Sequence, residues 1–322
     1  MPLPVRFICG VFVGLATCVA SAQVAPAIAE KSLKSSTMDG QAKQEAAAFV
    51  QAASTLLRSG DPTQVRRGRE AYTRTFSRAD VSPAYRTAFA AMALPSLKEV
   101  VATGNPLQGI NAIESMKAFN SPDAVSALVE QASPTKQKSA SLRLVAASGL
   151  GPAIRQTDLN TAQADSIVKG IATYIDRETD WMTLAYEIQA LEVMSTSPRT
   201  SKDGQATARV LEASAIDALV SKLRKGTAAP DTIRAVNRSL SLILTDQLGA
   251  TDAAAMVALK KALEPSFAAL RELAKSPPAG SDAAPFTQAA RLAETLQRTQ
   301  LDTKPAKPGR RPGATSNSPA TR

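Results

Sequence analysis

The sequence predicts an all-α fold in which helical hairpins stack into a repeat solenoid, and three observations carry that prediction. Apolar residues recur at helical spacing from Gln41 to about Arg298. No stretch alternates apolar and polar residues over the length of a strand. Alanine is abundant and β-branched runs are scarce, which favours helix over sheet. Each helix would be apolar on one side only, so it has to pack against neighbours, and pairs joined by short turns form hairpins. The alternative architecture is an irregular multi-helix bundle.

In chain order, residues 1–22 read as a secretory signal. Arg6 precedes the apolar run Phe7–Leu15, and Ala20-Ser21-Ala22 forms a small-x-small site before Gln23. The run falls short of the ~20 apolar residues a membrane helix needs, and charges interrupt every later one. The expectation is an exported protein, periplasmic or on the cell surface, with no transmembrane segment. A lipid anchor on Cys18 is the lesser alternative, because Thr17 stands where bacterial lipoprotein signals carry Gly, Ala or Ser. Residues 23–40 form a flexible leader, 41–300 the helical repeat domain, and 301–322 a disordered basic tail rich in Pro, Gly, Ser and Thr.

Within the helical domain the stripes follow one another. Ala46, Phe49, Val50, Ala53, Leu56 and Leu57 make the first. Val125, Leu128, Val129 and Ala132 make another, then Ile167, Val168, Ile171 and Ile175, then Leu184, Ala185, Ile188 and Leu191. Ile216, Leu219, Val220 and Leu223 repeat the pattern, as do Ile233, Val236, Leu240 and Leu244. Ser121-Pro122-Asp123 supplies a capping hydroxyl, a first-turn proline and an acid. Ala229-Pro230-Asp231 does a similar job, and Asp180 and Thr251 are further cap candidates. Pro265 predicts either a kink in Ala253–Lys275 or two helices there. Ser195–Gly204 reads as a surface loop.

The segment Gly109–Val129 pairs an amphipathic helix, a Pro-Asp turn and a second helix of the form Ala-Val-x-x-Leu-Val. It resembles a HEAT-type (armadillo-type) repeat, with more degenerate units after it. First helices begin near Pro106, Thr135, Asp180 and Pro230, at intervals of 29, 45 and 50 residues that straddle the HEAT period of ~40. A tetratricopeptide reading would want a tighter period and Trp/Tyr positions that this chain lacks. The resemblance implies a stacked superhelix that binds along one surface, with second helices lining its concave side. The residues opposite their stripes would then face the partner: Asp123, Ser126 and Glu130, Asp165 and Lys169, and Asp217, Ser221 and Arg224.

Composition removes several chemistries. The chain has no histidine, which excludes Ser-His-Asp triads, the common zinc hydrolase sites and the usual neutral-pH proton shuttle. Both cysteines, Cys9 and Cys18, lie in the signal, so the mature chain has no thiol. The net charge is +10, of which the tail from Leu301 supplies +4, so the basic balance argues only weakly for an anionic partner.

Asp176, Glu178, Asp180 and Glu187 fall at positions 1, 3, 5 and 12 of a calcium-loop spacing. Position 6, where the sharp turn wants glycine, is Trp181, and Trp181, Leu184 and Ile188 fit one helical stripe. The expectation is that Asp180 caps a helix and no calcium binds. Arg66, Arg67, Arg69, Arg74 and Arg78 form the densest basic group. Arg67, Arg74 and Arg78 share one helical face, opposite Val65, Tyr72 and Phe76, and that face suits a polyanion or is a plain solvated surface. Carboxylate chemistry on a helical toroid would need paired acids beside aromatic platforms, and aromatics are 4% of the chain. The function expected is therefore a non-catalytic interaction scaffold with no cofactor, whose partner is another protein. An anionic envelope polymer is the alternative partner, a carbohydrate-active or other hydrolytic enzyme is the alternative class, and no nucleic acid is expected.

Overall fold

The computed structural model describes residues 24–247 and 253–298. The signal, the tail and the Thr251 cap fall outside them. The described residues are all-α. In chain order the helices are α1 (Glu30–Lys34), α2 (Gly40–Leu57), α3 (Pro62–Phe76), α4 (Pro83–Ala102), α5 (Pro106–Lys117), α6 (Pro122–Ala132) and α7 (Ala140–Gln156). They continue as α8 (Thr161–Ile175), α9 (Trp181–Thr196), α10 (Lys202–Arg224), α11 (Ile233–Leu242), α12 (Ala253–Lys275) and α13 (Ala284–Arg298).

Local sequence sets the helix starts. Four consecutive helices, α3 to α6, open on a capping residue followed by proline: Asp61-Pro62, Ser82-Pro83, Asn105-Pro106 and Ser121-Pro122. In each, the side chain accepts a first-turn N–H that the helix itself leaves unpaired, and the proline sits where no N–H is needed. Asn160 makes a full capping box with Gln163 at the start of α8. Gly104 and Gly226, at φ +77° and +66°, stop α4 and α10 by adopting the left-handed conformation that ends helices.

Packing then arranges the helices in two layers. The even-numbered helices α2, α4, α6, α8, α10 and α12 each touch the next even one, and α3, α5, α7, α9, α11 and α13 do the same beside them. Across the layers α2 packs on α3, α4 on α5, α6 on α7, α8 on α9, α10 on α11 and α12 on α13, a stack of hairpins. The first five even-layer helices start at Gly40, Pro83, Pro122, Thr161 and Lys202, at intervals of 43, 39, 39 and 41 residues, before a longer interval to α12 at Ala253. The regular spacing therefore lies in this layer, whereas the odd-layer starts drift.

The stripes read from sequence are the core. From Ala46 to Leu240 every stripe residue named above is buried, and Leu244 packs partly buried against them. The first hairpins share an aromatic cluster in which Phe89 meets Phe49, Tyr72, Phe76, Tyr85 and Phe119 at centroid distances of 4.3–6.3 Å. These edge, tilted and stacked contacts add to simple burial. Burial pushes the Tyr72 phenol up to about 12, although its hydroxyl still pairs with Ser54 at 3.1 Å.

Close helix contact in the first hairpin depends on Gly68. A Cβ there would lie 2.9 Å from the Ala53 carbonyl oxygen and from the Leu57 backbone nitrogen, atoms of α2 that cannot move aside singly. Gly68→Ala is expected to cost about 1–2 kcal/mol by overpacking, despite alanine's better helix propensity. Urea unfolding checks this, and an unchanged midpoint with an unchanged slope would contradict it.

The structure alters three local expectations and, at Pro265, decides between one helix and two. The second first-helix starts at Ala140 rather than near Thr135, because Arg143 donates to the Gln137 and Lys138 carbonyls and holds that segment as a loop. The loop read at Ser195–Gly204 shrinks to Ser197–Ser201. Ser195 lies buried inside α9, and Gln205 from the first turn of α10 donates to the Ser197 and Thr200 carbonyls. Pro265 is accommodated inside one helix, α12. The leader is tied down: Ile28 and Leu33 are buried, the Ala29 N–H and Ser32 hydroxyl donate to Glu45, and the Ser82 N–H donates to the Leu33 carbonyl. It is thereby fixed against α2 and the start of α4.

Candidate functional site

The structure offers three surfaces. The first is the outward face of the even layer. Lys169 and Arg224 are exposed there with no partner among the described residues, and Ser221 is half-buried. Asp165 is half-buried, and its Oδ1 has no hydrogen-bond partner among the described residues. Asp217 is less available than the sequence suggests, because its carboxylate accepts from the buried Ser266 hydroxyl of α12 at 2.9 Å. Glu130 is held by Lys98 of α4. Asp165/Lys169 and Asp217/Ser221/Arg224 therefore lie on adjacent helices, α8 and α10, with part of the set spent on helix-to-helix contacts.

The second surface is the basic face of α3. Val65, Tyr72 and Phe76 are buried and Arg67 and Arg74 are exposed, as the spacing predicts. Arg78 does not extend that face. The helix ends at Phe76, and Arg78 turns back to Asp80 at 2.8 Å and Glu30 at 3.2 Å, tying the leader to the α3–α4 loop. Asp80 is held well below the usual carboxylate range by the Arg78 hydrogen bond first, with Lys34 adding to it.

The third surface joins α9 and α11 and was not singled out by sequence. The Arg238 guanidinium lies 4.6 Å from the Tyr186 ring centroid and donates to the Gln189 carbonyl oxygen at 2.9 Å. The Arg234 guanidinium lies 5.9 Å from the Trp181 ring, with Asp231 as its ion partner at 3.1 Å. Cation–π contact of this kind fixes long cationic side chains over aromatic faces. Trp181 and Tyr186 are half-buried, while Met182, Arg234 and Arg238 are exposed. The i, i+4 spacing of Arg234 and Arg238 was the available signal. Their aromatic partners lie some fifty residues earlier, beyond the reach of local pattern.

The acidic constellation resolves into structural roles. Asp180 caps α9, accepting from the Thr183 N–H at 2.8 Å and its hydroxyl at 2.7 Å, as expected. Glu178 is buried and chelates Arg143, at 2.6 Å from Nε and 3.0 Å from Nη2, and it also accepts the Thr179 and Asp180 N–H groups. Burial alone would raise its pKa, but the Arg143 and backbone hydrogen bonds outweigh that and hold it below the ordinary value. Glu187 lies in the core of α9, with no hydrogen-bond partner among the described residues for either oxygen. Burial, and then repulsion from Glu178, push its pKa well above the ordinary carboxylate range. With Asp180 and Glu178 engaged and Glu187 buried in the core, melting should not shift with millimolar calcium or with chelator. A clear rise with calcium would contradict this, since a ligand bound only by the folded state stabilises it.

Two of the clefts among the described residues bear on these surfaces. One, of about 590 Å³, lies on the edge formed by the loops entering the even layer, and its carboxylate Asp158 pairs with Arg199 at 2.8 Å. The other, of about 490 Å³, lies between the leader and the α2/α3 hairpin. No group of three or more Asp, Glu, His or Cys side chains among the described residues is arranged to hold a metal ion, and no described helix is long and apolar enough to cross a membrane. No family model matches the chain, and neither a curated protein nor a solved structure matches it.

Proposed function

We propose that this chain is a non-catalytic interaction scaffold built from HEAT-like hairpins, acting after export, and that it binds an acidic segment of a partner protein. The observation that carries the reading is the α9/α11 patch. Trp, Tyr and Arg are the side chains that dominate binding energy at protein interfaces, and here the chain's one tryptophan stands with Tyr186 beneath two arginines. The arginines favour a partner carboxylate, and the half-buried rings with Met182 supply apolar contact. A two-layer stack suits such work, because each hairpin contacts only its neighbours and leaves an extended face on either side. The single carboxylates of the two clefts, Asp158 and Glu70, each sit beside arginine, which offers no acid pair for glycoside chemistry. The signal-like residues 1–22 support export.

Crosslinking in the native cells, with mass spectrometry of what is captured, tests the reading. The captured protein should start at Gln23, and a partner should be lost when Tyr186→Ala is combined with Arg238→Glu. Because Tyr186 packs partly buried against the core, circular dichroism and melting must show the variant folded before its loss of capture is read. Capture that survives this pair but fails with Lys169→Glu and Arg224→Glu would move the site to the even layer.

A further inference from the structure

The cleft at the first hairpin has a different chemistry from the α9/α11 patch. Its floor is Phe49 and Leu56, two turns apart on α2, and its side walls are Ala71 of α3 and the leader residues Val24 to Ala27. Arg67 and Arg74, two turns apart on α3, stand at its rim. Both are exposed, and neither has an ion-pair or hydrogen-bond partner among the described residues. Glu70 lies between them and is shared by Arg66 at 3.7 Å and Arg69 at 4.0 Å, so it does not neutralise the rim.

The placement follows from the fold. Among the described residues the α2/α3 hairpin is the first in the stack, so no described hairpin packs on its far side. The leader covers part of that side, with Ile28 and Leu33 buried. The cleft is the part left open. Its volume of about 490 Å³ falls in the range of small-ligand pockets and is too small for a folded partner. An apolar floor with two unpaired guanidinium groups above it complements a molecule that has an apolar chain and an anionic head. Guanidinium pairs carboxylate and phosphate oxygens in a fork, and those charge-assisted bonds are the strong ones.

We propose that this cleft binds a single-chain anionic amphiphile, its acyl chain along Phe49, Leu56 and Ala71 and its carboxylate or phosphate head between Arg67 and Arg74. This site is independent of the α9/α11 patch. The test is displacement of a fluorescent long-chain carboxylate from the purified protein, with all lipids below their micelle concentrations. Palmitate and a lysophosphatidic acid should displace the probe, and a neutral monoacylglycerol of the same chain length should not. The Arg67→Gln/Arg74→Gln pair should weaken probe binding roughly tenfold or more, the loss expected from removing charge-assisted bonds. Ala71→Phe should abolish binding in protein that circular dichroism shows to be folded, since Ala71 packs partly buried against the core. Absence of probe binding, equal displacement by the neutral lipid, or full binding by Ala71→Phe would each overturn the proposal. So would displacement by an acidic peptide but not by palmitate, which would make the cleft a peptide site.

Discussion

Arg143→Met should lower stability by about 3–5 kcal/mol, the cost of removing one partner from a buried ion pair. The Arg143 side chain is 10% exposed and that of Glu178 is fully buried, so the surviving carboxylate would have no access to water. The substitution also frees the Gln137 and Lys138 carbonyls, and with them the loop that delivers α7 to the odd layer. Glu178→Leu combined with Arg143→Met should recover most of the loss, because a well-packed apolar pair carries no desolvation cost for charge. Urea unfolding of the two single variants and the double measures the coupling directly. A double variant as unstable as the sum of the singles would mean that the two side chains are not coupled and would overturn this expectation.

Glu187→Gln should stabilise the protein by about 3 kcal/mol near pH 8, the scale of burying a carboxyl group without a hydrogen-bond partner. The sign follows from linkage. The folded-state pKa of Glu187 lies well above the ordinary value of 4.5, so folding favours its protonated form. Its penalty is absent below about pH 4.5 and grows as pH rises through the folded-state pKa. The groups that set this value are Glu178 and Asp180, which raise it, and Arg143, which lowers it. Glu178 has the opposite slope: its contribution is present above the ordinary pKa and is lost as pH falls through its lowered one. The gain from Glu187→Gln should therefore shrink towards zero near pH 4.5. A gain that is the same at pH 5 and pH 8 would show that the side chain is ionised throughout.

Much of the architecture was legible because helices are encoded over short distances. The stripes around Val125, Ile167, Leu184 and Ile216 lie three and four residues apart, so a single turn of sequence identifies the buried side. Caps are as local: Ser121 and Asp180 act on N–H groups three residues ahead. Trp181 in the turn position was enough to read Asp180 as a cap rather than a calcium ligand.

What tertiary structure alone decided is which polar groups remain free. Arg78 looked like part of the Arg67/Arg74 stripe, but α3 stops at Phe76 and its charge is taken up by Asp80 and by Glu30, 48 residues away. Asp217 looked solvent-facing until Ser266 reached it from 49 residues on. The start of α7 moved because Arg143 and Glu178, 35 residues apart, pair in the core. The aromatic–arginine patch exists only where α9 lies against α11. The sequence determined an all-α chain, its buried stripes and most of its helix starts, because periodicity and capping act within a few residues. The layers, the ion pairs between hairpins and the surfaces left for a partner depend on contacts tens of residues apart, which no local pattern encodes.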